Sequence, residues 1–162
     1  MNSFLINNLR FVSEAGDKTF LMPIFGLVSA LYLFYIKRHG EGKLVLFSLS
    51  APLFAYLLKL LFRQPRPENA VNPFNFDKFG FPSAHTLSYT AFWCYIIYLC
   101  FKLVVVPLYI RIPLVLISIY FIALVGISRV YLGYHYIWDV AGGYLFGFLY
   151  FLLVLMLEKK LL

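Results

Sequence analysis

The chain has 162 residues, of which 62% are hydrophobic and 20% aromatic, while only 13% are charged. A soluble domain carries roughly a quarter charged residues, and a soluble protein this small could not bury so much apolar surface. The composition therefore excludes a soluble globular fold and indicates one domain, residues 1–162, embedded in a lipid bilayer. The net charge of +7 favours anionic lipid as partner and not nucleic acid, because the basic residues stand at the ends of apolar runs or inside motifs.

The N-terminal segment, residues 1–16, predicts a short amphipathic helix that lies on the membrane surface. Leu5, Leu9 and Val12 recur at helical spacing, and polar residues occupy the opposite face. The alternative is a frayed chain terminus.

Five apolar segments follow, each close to the length of about 20 residues that a helix needs to cross a bilayer. They run from about Thr19 to Ile36, Leu44 to Phe62, Ser83 to Val106, Ile112 to Ser128 and Tyr136 to Leu157. The predicted fold is thus an all-α integral membrane bundle of about five transmembrane helices plus the N-terminal interfacial helix. Within the fifth segment, Gly143 and Gly147 form a pair of small residues that predicts close helix packing.

Residues 63–82 separate the second and third segments and contain four prolines, so they cannot be helical throughout. A loop of this length in a compact protein is usually functional. We expect residues 63–82 to form an active-site loop at the membrane surface.

Five spans place successive connections on alternating sides of the bilayer. Each side then carries seven Lys or Arg residues. Four cations on the side of residues 63–82 belong to the motifs described next or lie beside them, and without these four the counts are three against seven. The positive-inside rule therefore places the motif side outside the cell and the other side in the cytoplasm.

Three polar clusters stand out, because polar side chains are costly near a bilayer and are functional there by default. They comprise Lys59 with Arg66-Pro67, then Pro82-Ser83-Ala84-His85, and then Ser128-Arg129 with His135 and Asp139. The predicted topology brings all three clusters to one membrane face.

The cations of these clusters suit a phosphate dianion. Lys59, Arg66 and Arg129 supply three positive charges, and an arginine can bind two phosphate oxygens at once. Ser83 opens the third span, where free N–H groups and the helix dipole favour an anion, and its hydroxyl can also donate. The clusters therefore predict a phosphate-binding site.

The histidines supply the chemistry of hydrolysis. His135 and Asp139 are four residues apart, so a helix that starts near His135 places both on one face, with Cβ atoms about 6 Å apart. A carboxylate that accepts from one imidazole nitrogen fixes the tautomer and leaves the other nitrogen free to attack. His85, at the same membrane face, can protonate the leaving oxygen as a general acid. We expect such a reaction to need no metal and no other cofactor.

The ordered motifs resemble those of the type 2 phosphatidic acid phosphatase superfamily. They read Lys59-x6-Arg66-Pro67, Pro82-Ser83-Ala84-His85 and Ser128-Arg129-x5-His135-x3-Asp139. The resemblance covers about residues 19–157, and it departs from the family pattern where Ala84 replaces the usual glycine. Glycine there permits close approach of the backbone to phosphate, and we expect the alanine amide to keep this contact in a slightly tighter pocket.

The resemblance implies a role for each motif residue. The residue matching His135 forms a phosphohistidine intermediate, the one matching Asp139 orients it, and the one matching His85 protonates the leaving group and later activates water. The implied phosphate-binding residues are Lys59, Arg66, Ser83, Ala84 and Arg129. The family needs no metal.

The small, prokaryotic-looking chain predicts a bacterial enzyme of the cytoplasmic (inner) membrane, and the predicted topology makes its active site face the periplasm or exterior. For such an enzyme the resemblance suggests substrates. Three substrates are candidates: lipid A 1-phosphate, undecaprenyl diphosphate and phosphatidylglycerophosphate, with the first two ranked above the third. Compact loops predict that more than one of them is accepted. The alternatives are a non-catalytic protein that binds or moves anionic lipids and a vanadate-dependent haloperoxidase, which shares the motifs but is soluble. The sequence leaves the oligomeric state open.

Overall fold

The structure, a computed structural model, describes residues 3–17, 21–67 and 78–161. Within these ranges the chain forms seven α-helices and one isolated β-bridge, between Pro65 and Phe79. The helices are α1 (Ser3–Asp17), α2 (Leu21–Tyr35), α3 (His39–Ser48), α4 (Ala51–Phe62), α5 (Ala84–Lys102), α6 (Leu108–Tyr131) and α7 (Ile137–Leu161). The predicted all-α membrane bundle is confirmed. Thr19, where the first predicted span begins, lies outside the described residues.

The second predicted span begins earlier than expected and is broken in the middle. The sequence predicted one helix from Leu44 to Phe62, whereas a turn separates α3 from α4. Pro52, in the first turn of α4, explains the break, because it has no N–H to donate to the Ser48 carbonyl and its ring would clash with that carbonyl. Together α3 and α4 form an apolar stretch, His39–Phe62, that is long enough to cross a membrane.

Helix α5 is the central helix of the bundle. It packs against α3, α4, α6 and α7, and 12 of its 19 residues are buried. Because other helices cover it, α5 carries serine, threonine and tyrosine where the outer helices carry aliphatic side chains. Among the described helices, α6, α7 and the α3–α4 pair are long and apolar enough to span a membrane, and α2 is a shorter apolar helix.

Helix α1 is present as predicted, but two residues of its apolar stripe contact protein. Leu9 and Val12, which the sequence placed against the membrane, are buried, whereas Phe4 and Phe11 outside the stripe are exposed. The helix packs against α6 and α2, and the Phe11 ring lies 6.4 Å from the ring of Phe121 on α6. The bundle therefore binds the stripe, and the placement of α1 on the membrane surface stays a prediction.

A buried ionic network joins α3, α5 and α7 at one end of the bundle. Lys102 Nζ lies 3.1 Å from Glu41 Oε1 and 3.0 Å from Glu158 Oε1. The hydroxyls of Tyr95 and Tyr98 also donate to the Glu158 carboxylate. Because both carboxylates are nearly inaccessible to solvent, these partners avoid the large penalty of an unpaired buried charge.

The most extensive helix contact, between α5 and α7, depends on two glycines. A Cβ atom on Gly143 would lie 2.9 Å from the Ser83 carbonyl oxygen, and one on Gly147 would lie 2.6 Å from the Leu87 carbonyl oxygen. Cβ atoms essentially never approach other atoms so closely, so the predicted packing role of this glycine pair is confirmed. The close contact brings the start of α7 against the start of α5, where the Ser83 N–H donates to the Asp139 carbonyl at 2.9 Å.

A valine at position 147 tests this contact. Gly147→Val should destabilise the protein by about 1–3 kcal/mol, because the backbone of Leu87 cannot move aside as a flexible side chain could. Ala141→Val, at an exposed position of the same helix, is the matched control and should leave the melting temperature in detergent unchanged. Equal melting temperatures for the two variants would contradict the packing role.

Candidate active site

Helix ends place the residues of the three motifs. Lys59 lies in the last turn of α4, Ser83 precedes the first turn of α5, and Arg129 lies in the last turn of α6. Asp139 lies in the first turn of α7, and its carbonyl accepts the Ser83 N–H. The structure thus brings the motifs together at the end of the bundle opposite the Lys102 network.

His135 and Asp139 form the predicted pair, although not on one helix face. Helix α7 begins at Ile137, so His135 lies in the connection before it, yet its Nδ1 is 3.3 Å from Oδ2 of Asp139. The same Oδ2 accepts the Tyr136 N–H at 3.0 Å, as an acidic residue at the third position of a helix does towards the capping residue. Because an ionised carboxylate only accepts, Nδ1 carries the proton and Nε2 keeps its lone pair.

The surroundings of His135 favour the neutral imidazole. The residue is 3% exposed, and its backbone N–H donates to the Arg129 carbonyl at 3.2 Å. Burial lowers the pKa of His135, and the hydrogen bond with Asp139 only partly opposes this effect. Nearby positive charges, those of Arg129, Arg66 and Lys59, lower the pKa further. His135 is therefore neutral at pH 7, the form in which Nε2 is a nucleophile.

The two ends of the predicted active-site loop pair with each other and pass beside Asp139. The Gly80 N–H donates to the Gln64 carbonyl at 2.7 Å. A Cβ atom on Gly80 would lie 3.1 Å from Asp139 Oδ2 and 3.4 Å from the Arg66 Cα, so glycine permits this close approach. Residues 68–77 of the loop lie outside the described part of the chain.

Lys59 is held by the second end of the loop. Its Nζ donates to the Phe79 carbonyl at 2.7 Å, and the side chain is only 2% exposed. This bond fixes the ammonium group of Lys59 next to the segment that contains Gly80. The lysine is thus buried and directed to the site, which argues against a side chain that extends along the helix to reach water.

Arg129 is held on two sides. Its guanidinium carbon lies 4.3 Å from the centre of the Tyr134 ring, a favourable stacking distance for a cation. On another side, Nη1 donates to Ser13 Oγ at 2.6 Å. The guanidinium group is therefore held in place within the protein, at a side chain that is 2% exposed.

The Pro82–His85 motif places a hydroxyl and the first-turn amides of α5 at the site. The Ser83 N–H is already bonded to Asp139, and its Oγ accepts from the Thr86 hydroxyl at 3.1 Å. Ala84 and His85 occupy the first turn of α5, where N–H groups have no partner within the helix, and both are partly exposed. The anion-binding role predicted for this motif therefore falls on the Ser83 hydroxyl and on the amides that follow it.

Two residues at the site escaped the sequence reasoning. Ser13 contacts Arg129 from α1, and no local pattern connects residues so far apart. Gly80 did leave a signal, because a glycine between two phenylalanines in a proline-containing loop indicates a close backbone approach.

Comparison with known proteins agrees with this geometry. The family model described as the PAP2 superfamily matches residues 41–161, a range that includes all three motifs. The chain is similar to phosphatidylglycerophosphatase B of Bacillus subtilis (strain 168), with 31% identity over 151 residues, which cover 93% of this chain and 73% of that protein.

A solved structure shares the whole fold. It is described as the crystal structure of the first transmembrane PAP2 type phosphatidylglycerolphosphate phosphatase from Bacillus subtilis. The match has a TM-score of 0.78 and 30% sequence identity, and it covers 99% of this chain and 79% of that chain. The chain therefore belongs to the PAP2 superfamily and is a membrane-embedded lipid phosphatase.

Proposed function

We propose that this phosphatase removes a phosphate group from a membrane lipid phosphate or diphosphate through a phosphohistidine on His135, without a metal ion. The observation that carries the proposal is the buried His135–Asp139 pair, with 3.3 Å between Nδ1 and Oδ2, beside three cations. Nε2 of His135 attacks phosphorus while Lys59, Arg66 and Arg129 stabilise the charge on the phosphate oxygens.

The proposed reaction has two steps. In the first, the bond from Nε2 to phosphorus forms, the bond from phosphorus to the lipid oxygen breaks, and His85 gives its proton to that oxygen. In the second, His85 takes a proton from water, the water oxygen attacks phosphorus, and inorganic phosphate leaves His135. Asp139 stabilises the imidazolium that forms on attack and holds the ring in orientation.

An apolar cleft beside the site supports a lipid substrate. The cleft has a volume of about 420 Å³ and lies between α6 and α7; its lining residues are Gly126, Ile127, Val130, Tyr131, Val140 and Tyr144. Val130 follows Arg129 in the chain and Val140 follows Asp139, so the cleft adjoins two residues of the proposed site. A lipid tail can therefore stay in the apolar region while its phosphate reaches the cations.

Among the three candidate substrates, we propose phosphatidylglycerophosphate first, followed by undecaprenyl diphosphate and lipid A 1-phosphate. This reverses the order that the sequence favoured. The support is that the Bacillus subtilis relative and the similar solved structure are both named for phosphatidylglycerophosphate. Acceptance of more than one of these lipids stays part of the proposal.

Phosphate release from the three lipids by purified enzyme tests the proposal. Wild type should release most phosphate from phosphatidylglycerophosphate, with no change on addition of EDTA. His135→Ala should lose at least about 10³-fold in kcat, because the nucleophile is gone. His39→Ala removes an exposed histidine on α3 and is the matched control, expected to keep full activity. Wild-type rates in His135→Ala would contradict the mechanism, and loss of activity with EDTA would contradict its metal independence.

Asp139→Asn separates the orienting role of this residue from its role in the helix start. The amide oxygen can still accept the Tyr136 N–H, so the melting temperature should change little. Without the negative charge the imidazolium is less stable and the ring can take the other tautomer, so kcat should fall by about 10²- to 10⁴-fold. An unchanged kcat would exclude the proposed role of the carboxylate.

We further propose that the site faces the outside of a bacterial cytoplasmic membrane. The support is the excess of basic residues at the opposite end, once the cations of the site are set aside. In a variant in which Cys94 and Cys100 are replaced by alanine, a cysteine at the exposed Lys78 should react with an impermeant maleimide on intact cells. A cysteine at Lys160 should react only after lysis. The reverse pattern would contradict the orientation.

A further inference from the structure

A buried hydrogen bond joins the N-terminal helix to the proposed phosphate site. Arg129 Nη1 donates to Ser13 Oγ at 2.6 Å, between residues 116 positions apart in the chain. Ser13 is 3% exposed and Arg129 is 2% exposed, so water does not compete for this bond. A hydrogen bond from a charged donor is stronger than one between neutral groups, and it fixes the direction of the guanidinium plane.

The backbone that carries Ser13 is itself anchored. The Tyr89 hydroxyl of α5 donates to the carbonyl of Val12, the neighbour of Ser13, at 3.0 Å. One turn earlier in α1, the Tyr120 hydroxyl of α6 donates to Asn8 Oδ1 at 2.9 Å. Helices α5 and α6 therefore hold α1 so that Ser13 meets Arg129, although α1 precedes the residues 41–161 that the family model matches.

A neutral hydroxyl is a suitable partner for a cation that must also bind phosphate. A carboxylate in the place of Ser13 would form an ion pair with Arg129 and would compete with the phosphate dianion for the guanidinium group. The serine oxygen accepts one hydrogen bond and brings no negative charge of its own. Together with the Tyr134 ring, which lies 4.3 Å from the guanidinium carbon, it orients the arginine through neutral groups.

We propose that Ser13 is a positioning residue for Arg129 and that docking of α1 thereby completes the phosphate site. The inference rests on the proposed function, because it assigns Arg129 to phosphate binding. It gives α1 a part in the chemistry in addition to any contact with the membrane.

Binding of inorganic phosphate to the full-length protein in detergent, measured by calorimetry, tests the proposal without relying on turnover. Ser13→Ala should weaken phosphate binding about tenfold, which corresponds to about 1.4 kcal/mol. Ser13→Thr keeps the hydroxyl and should restore binding. Asn7→Ala, at an exposed position of the same helix, is the matched control and should bind phosphate as wild type does.

A double-mutant cycle distinguishes positioning from a general effect on folding. In an Arg129→Ala background the donor that Ser13 accepts from is absent, so Ser13→Ala should cause no further loss of phosphate binding. The same fold-loss in both backgrounds would overturn the proposal, as would a phosphate affinity of Ser13→Ala equal to that of wild type. If Ser13→Ala does not fold, Ser13→Cys takes its place and should show the same weakening, because sulfur is a weak acceptor of similar size.

Different results would refute the proposed function and the proposed role of Ser13. A wild-type protein that binds phosphate but releases none from any of the three lipids would refute the lipid hydrolysis. The affinities of the Ser13 variants would still decide whether Ser13 positions Arg129.

Discussion

A carboxylate held away from water is stabilised by hydrogen-bond donors and nearby positive charges, and Asp139 is such a group. Its Oδ2 accepts from the His135 ring and from the Tyr136 backbone, while its own carbonyl accepts from Ser83. Gly80 lets the loop pass within contact distance of the same oxygen. The donors to the carboxylate, the His135 ring and the Tyr136 N–H, come from the connection before α7. The Ser83 bond ties the backbone of the same residue to the start of α5. The contacts that hold Asp139 in place therefore also bring the residues of the proposed site together.

The bundle brings Asp139 and Ser83 together because α5 differs in composition from the helices around it. A helix surrounded by other helices does not contact lipid, so α5 can carry hydroxyl groups along its length and begin with the proposed phosphate-binding motif. Gly143 and Gly147 let α7 lie directly against its backbone. The contact places the Ser83 nitrogen 2.9 Å from the Asp139 carbonyl oxygen, which is a hydrogen-bond distance. Small residues on one helix and polar residues on the other thus locate the site.

Most of the site could be predicted from the sequence, because spacing along a helix and the alternation of spans determine which ends meet. Lys59 and Asp139 fall at helix ends on the same side for that reason. The partner of the α1 stripe could not be predicted, since Leu9 and Val12 are equally suited to lipid and to protein. Ser13 gave no signal either, because a single hydroxyl has no periodicity and its partner is distant in the chain. The only sign of the break in the second span was Pro52, and hydropathy alone does not distinguish this proline from an apolar residue.

The network of Lys102, Glu41 and Glu158 has a mechanical consequence for the whole bundle. Separating α3, α5 and α7 at that end would expose or strand buried charge, which costs about 3–5 kcal/mol when one partner is removed. The network therefore fixes α3, α5 and α7 to one another at that end. At the other end, α6 and α7 line an apolar cleft. The lipid phosphate is proposed to enter at this other end, away from the helix contacts that the network fixes.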